Sequence, residues 1–219
     1  MNTAKTEHTV VHRSLAAQPN RTDRAKEETW RNTRKLGSLL GDAEDVSRRK
    51  TLPTAALHRM WKLWLRPTNT KEATRTRLYN CFVLPILLYN CGTWALTRAD
   101  LLSLEAFHRQ QLPTRTDTEL LRYHILRARW RLFGHILRRP PTIPAYRYIL
   151  NYFGPSTSGG WKGRRRLTLP MVLDADLQTL SFGHRLQRAA DLFLFRLCAQ
   201  DRSGWRHLTG RLLDCTPTD

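Results

Sequence analysis

The chain has 219 residues, 41% of them hydrophobic, with 37 Lys+Arg against 18 Asp+Glu and a formal net charge of +19 at pH 7. That length allows one domain, or one domain plus a tail, and enough apolar residues for a core. The charge points to a polyanionic partner, either nucleic acid or an anionic membrane surface. No apolar run approaches the roughly 18 residues that a spanning helix needs, and basic and aromatic residues share no clean amphipathic stripe, so no membrane partner is expected.

The N-terminal residues lack the apolar stretch of a secretory signal. A nuclear or cytoplasmic location is expected, not a secreted one. The cysteines, Cys81, Cys91, Cys198 and Cys215, form no CxxC pair and read as reduced, mostly buried thiols. Cys198, His207 and Cys215 come nearest to a zinc ligand set, but their spacing is poor. No metal and no cofactor are expected.

Residues 1–35 are polar and mixed in charge, with few large apolar side chains, and are expected to be disordered. The stretch RKLGSLLGD, Arg34 to Asp42, reads as a short strand or turn between glycines. In the next run, Val46, Leu57, Met60 and Trp64 share one helical face, and Pro53 should break or kink it. A further helix follows, with Pro85 expected to interrupt it. Thr97 with Asp100 three positions on resembles a capping box, ahead of Leu101, Leu104, His108 and Leu112 at helical spacing.

The segment TDTELLRYHILRARWRLFGHILRRPP is the clearest helix. Leu121 and Ile125, and separately Leu126, Trp130, Phe133 and Leu137, recur every three or four residues until Pro140 and Pro141 stop the run. Residues 154–166 form a Gly/Ser loop that ends in a basic cluster. A short helix with Thr168 near its cap and Pro170 in its first turn comes next, and two more helices close the chain. The expected fold is mostly α and bundle-like, with a disordered basic N-terminus and a Gly/Ser/Arg loop. Its regions are residues 1–35, a helical region 36–112, the arginine-rich helix and following segment 113–153, the flexible basic loop 154–166, and a C-terminal helical region 167–219.

Between Glu119 and Arg166 eleven Lys/Arg face one acid, a local net charge of +10. More than half of the chain's charge therefore sits in under a quarter of its length. Arg127, Arg129, Arg131, Arg138, Arg139, Lys162, Arg164, Arg165 and Arg166 are the candidate nucleic-acid contacts, because they have almost no local acids to pair with. Interleaved aromatics, among them Tyr123, Tyr146, Tyr148, Tyr152 and Trp161, offer stacking surfaces for bases. Helical periodicity assigns Trp130 and Phe133 to the core instead.

Nucleotidyl transfer by two metals needs clustered carboxylates. The nearest approach is Asp174 with Asp176, which point to different faces of a helix and read as surface or capping acids. No phosphate-binding glycine loop, nucleophile elbow or Cys/His nucleophile is present. No catalytic residue is assigned.

The segment RTRLYNCFVLPILLYNCGTWALT resembles the region that follows the polymerase palm in non-LTR (LINE-like) retrotransposon reverse transcriptases. Arg77, Leu78, Tyr79, Val83, Pro85, Ile86, Leu87, Leu88, Tyr89, Trp94, Leu96 and Thr97 carry the likeness. Three more blocks agree in order. LGSLLGD, Leu36 to Asp42, resembles the end of that family's palm. RARWRLFGHILRRP, with Trp130, Gly134 and His135, is similar to its arginine-rich helix, and AQDRSGWRHL, with Asp201, Arg202 and Trp205, to its terminal block.

The family's activity is RNA-directed DNA polymerisation, and the resemblance implies that the fingers and the Asp-Asp palm lie upstream of LGS. This chain then reads as a catalytically inactive fragment covering the palm end, the thumb and the downstream region. Leu112 runs almost directly into PTRTDTELL, where the family has a longer stretch, which resembles an internal deletion. RNA or DNA, bound non-specifically, and a reverse-transcriptase palm in trans are the expected partners. The competing expectation is a helical scaffold that docks on another polypeptide.

Overall fold

The computed structural model describes residues 34–35, 37–39, 41–61, 66, 68, 70–111, 120–154, 167–179 and 183–215. Residues 1–33 of the segment expected to be disordered, Trp64, Leu112, the deletion expected beside it, and nearly all of the Gly/Ser/Arg loop fall outside them; the segment's last two residues, Arg34 and Lys35, form a strand. The described chain is mostly helical.

A two-residue hairpin, β1 (Arg34–Lys35) and antiparallel β2 (Ser38–Leu39), turns at Gly37 and leads into α1 (Asp42–Met60). The helix runs through Pro53, which is buried. The expected break does not occur. A proline removes one hydrogen bond of the ladder. Around it, Thr51 and Thr54 donate their hydroxyls to the carbonyls of Arg48 and Lys50, and Val46 and Leu57 pack inward on either side.

Pro85 acts as expected, but subtly. Helix α2 (Glu72–Leu78) widens into a π-helical turn (Tyr79–Val83) before α3 (Leu84–Leu87). The Leu84 amide reaches back five residues to the Tyr79 carbonyl. The wider turn spares Pro85 the clash that an α-helical ladder would impose. Asn90 then adopts a left-handed conformation (φ 62°), which asparagine tolerates, and a 3-10 turn (Cys91–Thr93) follows. Helix α4 (Arg98–Gln111) opens with the expected capping box: Asp100 N donates to Thr97 Oγ1 at 3.2 Å, and Thr97 N to Asp100 Oδ2 at 3.3 Å.

Helix α5 (Leu121–Arg138) lies at the centre, against the 3-10 turn, α4, and three later helices. Those are α6 (Pro144–Tyr152), α8 (Ala189–Gln200) and α9 (Arg202–Asp214); α7 (Leu169–Gln178) completes the order. Helix α6 has no counterpart in the sequence reading. Its first turn begins at Pro144, a good N1 residue. At α7, Thr168 takes the cap position with Pro170 in the first turn, but its hydroxyl is buried with no hydrogen-bond partner.

Two hydrophobic clusters meet inside α5. Leu121 and Ile125 join Val46, Tyr79, Leu87, Trp94 and Leu104 in the first. Leu126, Trp130, Phe133 and Leu137 join Leu173, Leu192, Phe195, Trp205 and Leu212 in the second. Cys91 is buried, and burial pushes its thiol up to about 11. Cys81, Cys198 and Cys215 are exposed, contrary to the expectation of mostly buried thiols. No helix among the described residues is long and apolar enough to cross a membrane.

His108 is buried in the first cluster, with its Nδ1 hydrogen-bonded to the Tyr79 hydroxyl at 2.8 Å. Burial, with smaller contributions from His124 and Arg109, lowers its pKa from 6.5 to about 4. The folded value is the lower one. Below pH ~6.5 the unfolded chain therefore takes up a proton that the folded chain refuses. The contribution of a neutral His108 is full above that pH and is lost as pH falls toward about 4. The midpoint of thermal unfolding should drop across this window. It should drop less in His108→Asn, which retains an acceptor near the Tyr79 hydroxyl. Parallel pH profiles for the two proteins would contradict this.

Candidate nucleic-acid interface

The arginine-rich helix has two unlike faces. His124, Arg127, Arg131, His135 and Arg138 follow one another at steps of three or four residues and share one face of α5. Leu126, Trp130, Phe133 and Leu137 occupy another, which is buried. A side-chain hydrogen bond from another helix caps the start of α5. Leu120 holds the N-cap position without a side-chain bond, and Glu105 of α4 accepts from the Arg122 amide at 3.0 Å. A carboxylate there also opposes the positive end of the helix dipole.

Helix α9 lies beside the basic face. Asp201 caps it, accepting from Ser203 N at 2.9 Å and Gly204 N at 3.0 Å. The Ser203 hydroxyl and these amides hold the carboxyl below its usual range. Trp205 is buried against α5, and its Nε1 donates to the Trp130 carbonyl at 3.1 Å. This approach requires Gly134. A Cβ at that position would stand 2.3 Å from Trp205 Nε1.

Between α5 and α9 runs a groove of about 1010 Å³, lined by Arg127, Arg131, Arg138, Arg202 and Arg206 with His124, His135, Leu132 and Thr209. Among the described residues, no Asp or Glu lines it. Burial and the neighbouring Arg202 both lower the pKa of Arg138, whose Nη1 also donates to the Ala199 carbonyl at 3.3 Å. Like charges held together in this way create a positive potential that an anion relieves.

Arg129 leaves the candidate set. It is 7% exposed, and its Nη1 donates to both carboxylate oxygens of Asp176 on α7, at 2.9 and 2.8 Å. Trp130 Nε1 donates to the same carboxylate at 3.0 Å. Asp176 is thus an interior partner, and burial raises its pKa despite Arg129. Asp174, on a different face of α7, accepts from Arg185 and from the Leu186 amide. Burial raises its pKa too, but these bonds outweigh that and lower it. Both side chains are 13% exposed, so neither is the open surface acid that the sequence suggests: Asp176 serves as the partner of the buried Arg129, and Asp174 ties Arg185 and the Leu186 amide to α7.

Arg127 and Arg131 are exposed and line the groove, as does Arg138. Arg139 is exposed outside it, with its Nε 3.4 Å from His135 Nε2. Lys162, Arg164, Arg165 and Arg166 lie outside the described residues. Arg202 and Arg206 are the groove residues that charge counting between residues 119 and 166 missed. Their signal was positional: 202, 206, 209, 210 and 213 fall on one helical face beside Trp205.

The residues of the earlier motif also find partners. Tyr79, Trp94 and Leu87 are buried, Leu78 and Leu88 pack against the first cluster, and Pro85 is exposed. The Arg49 guanidinium sits 4.7 Å from the centroid of the exposed Tyr89 ring and donates to the Gly37 carbonyl. Asp45 accepts from Leu39 N at 2.9 Å and from Trp94 Nε1 at 3.2 Å. Gly92 abuts the α5 backbone, where an added Cβ would lie 2.9 Å from the Ala128 carbonyl oxygen. Among the described residues, no three His, Cys, Asp or Glu side chains gather as a ligand group.

No protein-family model, no curated protein and no solved structure matches the chain.

Removing one partner of a buried ion pair strands the other charge, at a cost of about 3–5 kcal/mol. Asp176→Ala should lower stability by that order in urea unfolding. The double variant Arg129→Met with Asp176→Leu should recover most of the loss, because neither charge then remains buried. Equal losses in the single and double variants would contradict the interior role of the pair.

Proposed function

We propose that the chain is a non-polymerising piece of a non-LTR retrotransposon-like reverse transcriptase that binds RNA or DNA through the groove between α5 and α9. The observation that carries this reading is the groove's composition: Arg127, Arg131, Arg138, Arg202 and Arg206 converge there, and among the described residues no carboxylate lines it. Those arginines come from the two blocks whose sequences resemble the family's arginine-rich helix and terminal block. Support for the family origin comes from the order of the four blocks in the sequence, and from the contacts between them: Ala95 N with Asp42, Gly92 with Ala128, and Gly134 with Trp205.

Binding of this kind is electrostatic and not base-specific, since guanidinium groups contact phosphates that are alike at every nucleotide. The reading assigns no catalytic step to these residues, and a palm that carries the paired aspartates would act in trans. It places the protein with nucleic acid in the nucleus or cytoplasm.

A second reading, a scaffold that docks on another polypeptide, is favoured by one feature. Phe193, Leu194 and Leu197 are exposed together on α8.

The test is the salt dependence of binding. Each phosphate contact contributes about −0.9 to the slope of log K against log salt on duplex and about −0.7 on single strands. Changing Arg131, Arg202 and Arg206 together to alanine should flatten the slope by roughly two units, equally across oligonucleotide sequences. Arg77→Ala, outside the groove, is the control. An unchanged slope in the triple variant would make the groove a solvated surface and put the scaffold reading first.

A further inference from the structure

A second cavity opens beside the groove along α5, with a volume of about 740 Å³. Its walls are apolar, with Leu132, Ile136, Pro140, Ile143 and Tyr148 among them, and Arg139 stands in its lining. It shares Leu132 and His135 with the basic groove. The two sites are therefore adjoining parts of one surface, one carrying guanidinium groups and the other apolar. Tyr148 is 70% exposed, so its ring lies open to solvent where the cleft is. Tyr146, two positions earlier on α6, is buried and covered by Arg196, 5.1 Å from the ring centroid, so these two tyrosines have unlike roles.

We infer that the cleft takes unpaired nucleobases, and that the nucleic acid bound here is single-stranded. This rests on the proposed groove as the phosphate site. A single strand lays its backbone along cations and turns its bases toward aromatic and apolar surfaces, which accept any base because every base has a π-face. An intact duplex keeps its bases stacked and paired, and extruding one is costly. A duplex can use the arginines but not the cleft. The adjoining apolar site thus gives the groove a preference that charge alone does not.

The experiment measures binding of the full chain to fluorescent single-stranded RNA, single-stranded DNA and the matching duplex, across a salt series. Wild type should bind either single strand more tightly than duplex, most visibly at high salt, where the phosphate contribution shrinks. Tyr148→Ala should weaken single-strand binding on the order of tenfold to a hundredfold, the range for loss of one base stack. It should leave the salt slope and duplex affinity as they were. Tyr148→Phe, which keeps the ring, should behave as wild type.

Single-strand binding by Tyr148→Ala equal to wild type would overturn the cleft's role while leaving the groove in place, provided that the arginine triple variant still loses its slope. Equal weakening on duplex and single strand, or no preference in wild type, would overturn it too. If the triple variant also binds unchanged, the groove reading falls and the cleft inference falls with it. A preference for RNA over DNA in the same series would show that the cleft or groove also senses the 2′-hydroxyl, and would support the inference in its RNA form.

Discussion

A guanidinium buried beneath a helix has to be neutralised, and in this protein that requirement organises the arginine-rich segment. Arg129 is held by both oxygens of Asp176, and Trp130 Nε1 bonds to the same carboxylate. The pair ties α7 to the middle of α5. It also settles which way α5 faces. Residues two apart on a helix point to nearly opposite sides, so with Arg129 inward, Arg127 and Arg131 turn outward. The remaining steps, His135 and Arg138, extend that outward row to the end of the helix. One helix therefore supplies both a core and a cationic surface, with no conflict between them.

The same economy holds where α9 meets α5. Trp205 reaches across to the Trp130 carbonyl because Gly134 leaves room for its ring. With Trp205 inward, Arg202 and Arg206 flank the groove. The buried contact thus positions the charged residues on both sides. Burial first, and then the neighbouring Arg202, lower the pKa of Arg138; the second is a repulsion that a bound phosphate would relieve. Near the middle of α5, Gly92 sets the 3-10 turn against Ala128, and Trp94 ties the turn to Asp45 of α1. Among the described residues, α5 alone contributes buried side chains to both hydrophobic clusters.

Much of this was legible in the sequence, because periodicity and capping chemistry are local. The buried set Leu121, Ile125, Leu126, Trp130, Phe133 and Leu137 follows directly from spacing. The Thr97–Asp100 box and the stop at Pro140 follow from side-chain chemistry. What escaped was non-local. Arg129 looks like its neighbours until Asp176, 47 positions away, is brought against it. Glu105 gives no sequence sign that it will serve the start of α5, and Arg202 and Arg206 join the groove only once Trp205 has docked. Pro53 does not break α1, because packing on both sides of the proline holds the helix through the lost ladder hydrogen bond. Helix α6 was missed because its pattern is short and follows two prolines.

The central claim is that the arginines of α5 divide into an interior one and a set that meets phosphate. Arginine-selective modification with phenylglyoxal, mapped by peptide mass spectrometry with and without a saturating single-stranded oligonucleotide, tests it directly. Arg129 should stay unmodified in both samples, while Arg131, Arg202 and Arg206 should react in the free protein and become protected when the strand is bound. Modification of Arg129 in the folded free chain, or equal modification of the groove arginines in both samples, would contradict the account.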